Sequence, residues 1–375
     1  MRLIIALAVA GIIIFLQYYI IKKFWNRNLD VSIDFDKDIV YVNDTNVLNE
    51  VIINRKILPL PILQVKFSIT RTFRFEKQDN TSVTDNYYRN ELYTVMPLQK
   101  ITRKYPFVCT HRGVFYMNNM DLICRSLFLD KKMYDTRNHT ASVCVLPGLI
   151  SHQDIPTHVK NLIGIIEKNV RLNEDPLSFS GIREYQHFDS IRSVNWKATA
   201  KSGSLKVNKY NTTFSKKVVL LLNLDTNSMQ NRADVTEWGI RIASHLAKYY
   251  ITKHIPTALY TNSEHFSVEA GADMSHIRTI EIALARLDTS AGTSSFVELV
   301  NKKTAETTDS VEYIIISNYR KSDIVEEYSR LRADGFKIHF IIPEKENVEI
   351  EHDFVGDDYT VWMVEDDNKV LSDNY

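Results

Sequence analysis

The chain has 375 residues, 46 Lys+Arg balanced by 46 Asp+Glu, and 44% hydrophobic residues. That length calls for two or three domains, and the composition excludes wholesale disorder. Zero net charge gives no global steering toward nucleic acid, so no nucleic-acid partner is expected.

Residues 3–21 are almost continuously apolar, broken in polarity only by Gln17. At about 1.5 Å per residue a helix of that length reaches the hydrocarbon thickness of a bilayer. The run ends in Tyr18, Tyr19, Lys22 and Lys23, where a signal peptide would carry small residues, so residues 1–24 are expected to form a transmembrane anchor. Lys22, Lys23 and Arg27 follow the span and only Arg2 precedes it, which predicts a single-pass protein of the cell membrane with its bulk in the cytoplasm. Tyr18, Tyr19 and Trp25 then read as interfacial anchors.

Residues 25–150 carry a period of two. Val31, Ile33 and Phe35 alternate with Ser32, Asp34 and Asp36, and Val65, Phe67 and Ile69 with Lys66, Ser68 and Thr70. Asn43-Asp44 and Gln78-Asp79-Asn80 supply turns, and the pattern predicts an antiparallel β-sandwich. Cys109, Cys124 and Cys144 are odd in number and far apart, which argues against a disulfide scaffold or a thiolate zinc site. G-x-G-x-x-G, G-x-x-x-x-G-K-[ST], H-E-x-x-H and G-x-S-x-G are all absent, and with them the chemistries they serve.

Residues 151–215 are expected to be a linker with a distinctive stretch from Ser180 to Lys201. Asp189 is placed to cap a short helix that Gly203 ends. Arg183, Glu184, Asp189 and Arg192 lie close in sequence around Tyr185 and Trp196. Such a cluster either braces a domain junction or binds an anion, and the bracing reading is preferred because no catalytic partner stands beside it. Lys197, Lys201, Lys206 and Lys209 read as a solvated face.

Beyond Lys216 the period changes. Val218–Leu224 is a continuous apolar run ending in Asp225, as for a parallel strand buried on both faces. Val235, Trp238, Gly239, Ile242, Leu246 and Tyr249 follow helical spacing up to Pro256, and Thr257–Tyr260 is a short strand. Further helices are predicted through Ile277–Leu287 and Ile324–Leu331, and strands at Tyr313–Ser317, Ile338–Ile342 and Tyr359–Val364. This alternation predicts an α/β domain over 216–375 with a mostly parallel sheet, whose ligand sites lie at strand carboxyl ends, near Asp225 and Ser317.

Gly181, Arg183, Tyr185, Asp189, Arg192, Trp196, Lys197 and Ala200, followed by the strand ending in Asp225, resemble the domain-of-unknown-function 58 (DUF58) family. His111-Arg112-Gly113-Val114-Phe115 and Val145-Leu146-Pro147 extend the resemblance, which covers roughly residues 105–345. Phe188 and Lys201 depart from the family pattern, as does a single membrane span in place of two. The resemblance implies a von Willebrand factor A-like domain and partnership with a MoxR-type AAA+ ATPase.

A metal site of that domain type would need hard oxygens for Mg²⁺. The first loop is Asp225-Thr226-Asn227-Ser228-Met229, and the candidate ligands are Asp225, Ser228 and Ser317, with Thr261 or Ser263 as the middle hydroxyl. One carboxylate among neutral oxygens is a poor cage, so no cofactor is expected. As a phosphoryl-transfer nucleophile Asp225 lacks an acid two residues on, where Asn227 stands. The leading expectation is therefore a non-enzymatic, membrane-anchored adaptor in which Gly181, Arg183, Tyr185, Asp189, Arg192, Trp196 and Lys197 set the interdomain geometry. The alternative is a divalent-metal-dependent ligand binder or hydrolase centred on Asp225.

Overall fold

The first apolar run forms α1 (Arg2–Phe24), and the alternating residues after it form β1 (Leu29–Phe35). In β1 Leu29, Val31, Ile33 and Phe35 are buried while Asp30 and Asp34 face solvent, as a half-buried strand requires. The computed structural model describes residues 2–75, 81–83, 86–125, 131–171, 179–186, 191–210, 217–225, 232–263, 266–289, 292–306, 311–319, 321–345 and 359–364. It divides into two units, Met1–Gly148 and Leu149–Tyr375.

In the first unit β1 is followed by β2 (Ile39–Tyr41), β3 (Thr45–Asn54), β4 (Leu60–Thr70), β5 (Phe73–Phe75), β6 (Thr81–Val83), β7 (Asn86–Val95), β8 (Lys100–Cys109), β9 (Gly113–Arg125) and β10 (Lys132–Leu146). Two sheets result, ordered β1-β3-β8-β5 and β2-β10-β9-β4-β7-β6. Their pairings are antiparallel except for β2 with β10. Asn43 makes the turn into β3 at φ 70°, a left-handed conformation that asparagine tolerates, and the Asp44 carboxylate accepts from the Tyr41 N–H. Side chains of both sheets share one core, in which the Phe73 ring meets Phe115 edge-on at 5.1 Å.

A polar cluster crosses this core. Glu50 of β3 accepts from the hydroxyls of Tyr93 (β7) at 2.5 Å and Tyr105 (β8) at 2.8 Å. The Arg89 guanidinium lies between the rings of Phe75 and Tyr105, and Arg103 pairs with Glu91 at 2.9 Å while covering the Tyr93 ring. Burial raises the Glu50 carboxyl above its ordinary range, against the pull of the two tyrosine hydrogen bonds.

The expected membrane anchor is corrected. Among the described residues no helix is long and apolar enough to cross a membrane. Most of the described side chains of α1 are exposed. Its last turn also has another role: Ile21 and Trp25, 2% and 4% exposed, belong to the core of the sandwich. Lys56 donates to the carbonyls of Trp25 and Arg27, and burial draws its ammonium down to about 8. Trp25 is thus a core residue and not an interfacial anchor, and the single-pass localisation that rested on these residues is withdrawn.

The second unit comprises α2 (Thr157–Arg171), β11 (Phe179–Glu184), α3 (Trp196–Ser202), β12 (Lys206–Tyr210), β13 (Lys217–Leu222), α4 (Arg232–Thr252), β14 (Thr257–Thr261), β15 (Ser267–Gly271), α5 (Met274–Arg286), α6 (Phe296–Ala305), β16 (Val311–Ile316), α7 (Ser322–Ala333), β17 (Lys337–Lys345) and β18 (Tyr359–Val364). Six strands form a sheet ordered β15-β14-β13-β16-β17-β18, and β11 pairs with β12 separately. The edge strand β15 is antiparallel and the other pairings are parallel. Val218, Leu220 and Leu222 of β13 pack with α2, α4 and α5, and Val219 and Leu221 with α6 and α7. Burial on both faces is why β13 is apolar at every position from 218 to 222.

Part of the stretch expected as a linker packs into the core of the second unit. Val159, Ile163, Ile166 and Val170 of α2 are buried in the same core as β13. The von Willebrand A-like designation for 216–375 is also corrected: among the described residues the oxygen cage that would mark it does not form at Asp225, as the geometry below shows.

Candidate functional site

At the carboxyl ends of β13, β14 and β16 three short polar segments converge. Asn223 and Asp225 follow β13, Asn262 follows β14 and Ser317 follows β16, because each strand leaves the sheet where its apolar run stops. Asn262 holds the cluster together. Its Oδ1 accepts from the Leu224 N–H at 2.9 Å, which fixes the orientation of the amide. Its Nδ2 therefore faces Asp225 Oδ2 at 2.9 Å and Asn223 Oδ1 at 3.0 Å. The other Asp225 oxygen accepts from the Thr293 hydroxyl at 2.7 Å. Asn223 Nδ2 donates to Ser317 Oγ at 3.0 Å, and that hydroxyl donates on to the Tyr319 carbonyl.

The cavity beside these groups measures about 10 Å³, the space of one water at most. The fold thus brings together two of the three candidate metal ligands, Asp225 and Ser317. Ser228 lies outside the described residues, as does Asn227. The described donor set is poor for Mg²⁺: Asp225 is its one carboxylate, no cluster of three acidic, His or Cys side chains surrounds it among the described residues, and an amide N–H₂ points at it. Of the two middle-hydroxyl candidates, Thr261 Oγ1 accepts from the Ser263 N–H at 3.2 Å. Thr293 is the hydroxyl on Asp225, and Asn223, Asn262 and Thr293 escaped the sequence reading. Asparagine two residues before Asp225 was the one local signal; the other two stand 37 and 68 residues away.

The motif stretch builds a second feature, a small module of β11, α3 and β12. Ile182, Arg183 and Glu184 pair with Asn208, Val207 and Lys206. Asn195, not Asp189, caps α3: its Oδ1 accepts from the Ala198 N–H at 2.9 Å and its Nδ2 donates to Asn208 Oδ1 at 2.7 Å. Gly203 ends the helix at φ 71° with its N–H on the Thr199 carbonyl. Asp189 and the Arg192 side chain lie outside the described residues.

The expected network of arginines and acids falls partly outside the described residues. Glu184 pairs with Lys206 at 3.0 Å, and Arg183 donates to the Glu184 carbonyl. Gly181 sits in β11, Tyr185 just beyond it with its N–H on the Leu205 carbonyl, and Lys197 is exposed on α3. Trp196 is 65% exposed, and Ile182, Ile191 and Leu205 are exposed on the same module. Four large apolar side chains are thus exposed within one short stretch of the chain.

No protein-family model and no curated protein matches the chain. Solved structures similar to it include the CARDB domain of the PF1109 protein from Pyrococcus furiosus, at 16% identity and TM-score 0.21 over 31% of this chain and 93% of that one. The seventh ScaB type I cohesin from Pseudobacteroides cellulosolvens is similar at 11% identity and TM-score 0.22, over 33% of this chain and 95% of that one. A non-cellulosomal cohesin from Archaeoglobus fulgidus is similar at 7% identity and TM-score 0.21, over 33% and 94%. At these TM-scores the likenesses carry no argument about what this chain does.

Proposed function

We propose that the chain is a non-enzymatic adaptor whose second unit docks a partner protein through the β11–α3–β12 module. The observation that carries this reading is the outward face of Trp196, with Ile182, Ile191 and Leu205 on the same module. Exposed tryptophan is costly to leave in water and is enriched at the centres of protein interfaces. The strand-end cluster supports a non-catalytic role, since its polar groups bind one another around a space too small for a substrate. The family resemblance carried by the motif makes a MoxR-type AAA+ ATPase the partner to test.

The experiment is a binding titration of the full-length chain against the MoxR-type ATPase of the same genome, followed by biolayer interferometry. Saturable binding that weakens at least about tenfold in Trp196→Ala, with unchanged melting temperature, is the expected result. Absence of binding, or binding indifferent to Trp196→Ala and Leu205→Ser, would overturn the proposal.

A further inference from the structure

A second cavity lies in the same unit, at the opposite end of the sheet from Asp225. Its volume is about 330 Å³, within the range of small-molecule sites. At its floor is Glu312, the second residue of β16, aligned with Lys337 at the start of β17. Glu312 is 0% exposed, and a buried carboxyl group needs partners for both oxygens. Oε2 has one in His339 Nε2 at 3.0 Å. Oε1 has no hydrogen-bond partner; the nearest cation, Lys337 Nζ, stands 3.7 Å away, too far for one.

The remaining walls divide by chemistry. Tyr328, Phe336 and Tyr359 contribute aromatic surface, and Arg332 with Lys337 contributes positive charge at the rim. One site therefore offers an under-satisfied anion at its floor, cations at its mouth and rings between them.

We propose that this cavity binds a free aromatic α-amino acid, its ammonium on Glu312 Oε1, its carboxylate on Arg332 and Lys337, and its ring among Tyr328, Phe336 and Tyr359. Lys337 is the placeholder: its half-exposed side chain leaves Glu312 for the ligand carboxylate, and the ligand ammonium takes the vacated place at hydrogen-bonding distance. The exchange makes no net change in charge at the floor. It replaces a 3.7 Å ion pair with a direct hydrogen bond.

The test uses the full-length chain and three probes at millimolar concentration: L-phenylalanine, 2-phenylethylamine and 3-phenylpropionate. Calorimetric titration should show saturable binding of L-phenylalanine and binding at least about tenfold weaker for each half-molecule. Arg332→Ala, on an exposed side chain, should cut L-phenylalanine affinity about tenfold without altering the melting temperature, and Glu312→Gln should abolish it. No binding of L-phenylalanine, equal binding of either half-molecule, or affinity unchanged in Arg332→Ala would overturn the proposal.

Discussion

The Tyr93 hydroxyl donates to the Glu50 carboxylate at 2.5 Å in the middle of the β-sandwich core. The bond links β7 of one sheet to β3 of the other, so the polar cluster fastens the two layers where apolar packing alone would leave their register free.

This arrangement predicts a pH dependence. Burial raises the Glu50 pKa in the folded chain, so the folded state holds that proton more tightly than the unfolded state does. The stability contributed by Glu50 is complete below its ordinary pKa and is lost as pH rises through the elevated one. Glu50→Gln keeps an acceptor for Tyr93 and Tyr105 and removes the buried charge. Urea unfolding should show the variant more stable by on the order of 1 kcal/mol at pH 8, and equal to the parent near pH 4.

Asn262 ties Leu224, Asn223 and Asp225 with one amide, and truncation orphans three groups together. Asn262→Ala should lose about 2–4 kcal/mol in urea unfolding. Millimolar Mg²⁺ should leave the melting temperature of the parent chain where it was, because a single carboxylate among neutral groups is a poor cage for it.

Tyr250 is buried in α4, and its hydroxyl has no hydrogen-bond partner among the described residues. Removing an unsatisfied polar group relieves a desolvation cost without opening a hole larger than one oxygen. Tyr250→Phe should therefore stabilise the chain by about 1 kcal/mol in thermal unfolding.

Asn195 caps α3 beneath the exposed Trp196. Asn195→Ala should cost about 1 kcal/mol locally and speed amide exchange at residues 197–199, with β13 and β16 protected as before.

Much of the backbone was legible in the sequence. The alternation around Val31, Ile33 and Phe35 marks a half-buried strand, and the run from Val218 marks one covered on both sides, because both patterns record which neighbours a residue meets. Side-chain roles set over distance were not. Trp25 beside basic residues reads as a membrane-interface aromatic, yet the fold brings it into the core through contacts with distant strands. Asn262 looks like a loop polar residue until β13 and β14 lie side by side. Glu312 hides for a related reason: β16 begins at Val311, two residues before the apolar run suggests, so the acid lies inside the sheet.

Cys109 and Cys124 are both fully buried in the sandwich, where burial pushes their thiols up to about 12 and about 11. Only the thiolate attacks an alkylating reagent, so neither sulfur reacts while the layers stay closed. The chain thus carries two internal timers. With Cys144 replaced by serine, the rate at which iodoacetamide consumes the remaining thiols should measure how often the first unit opens. Labelling as fast as that of free cysteine would mean the thiols stand open to solvent.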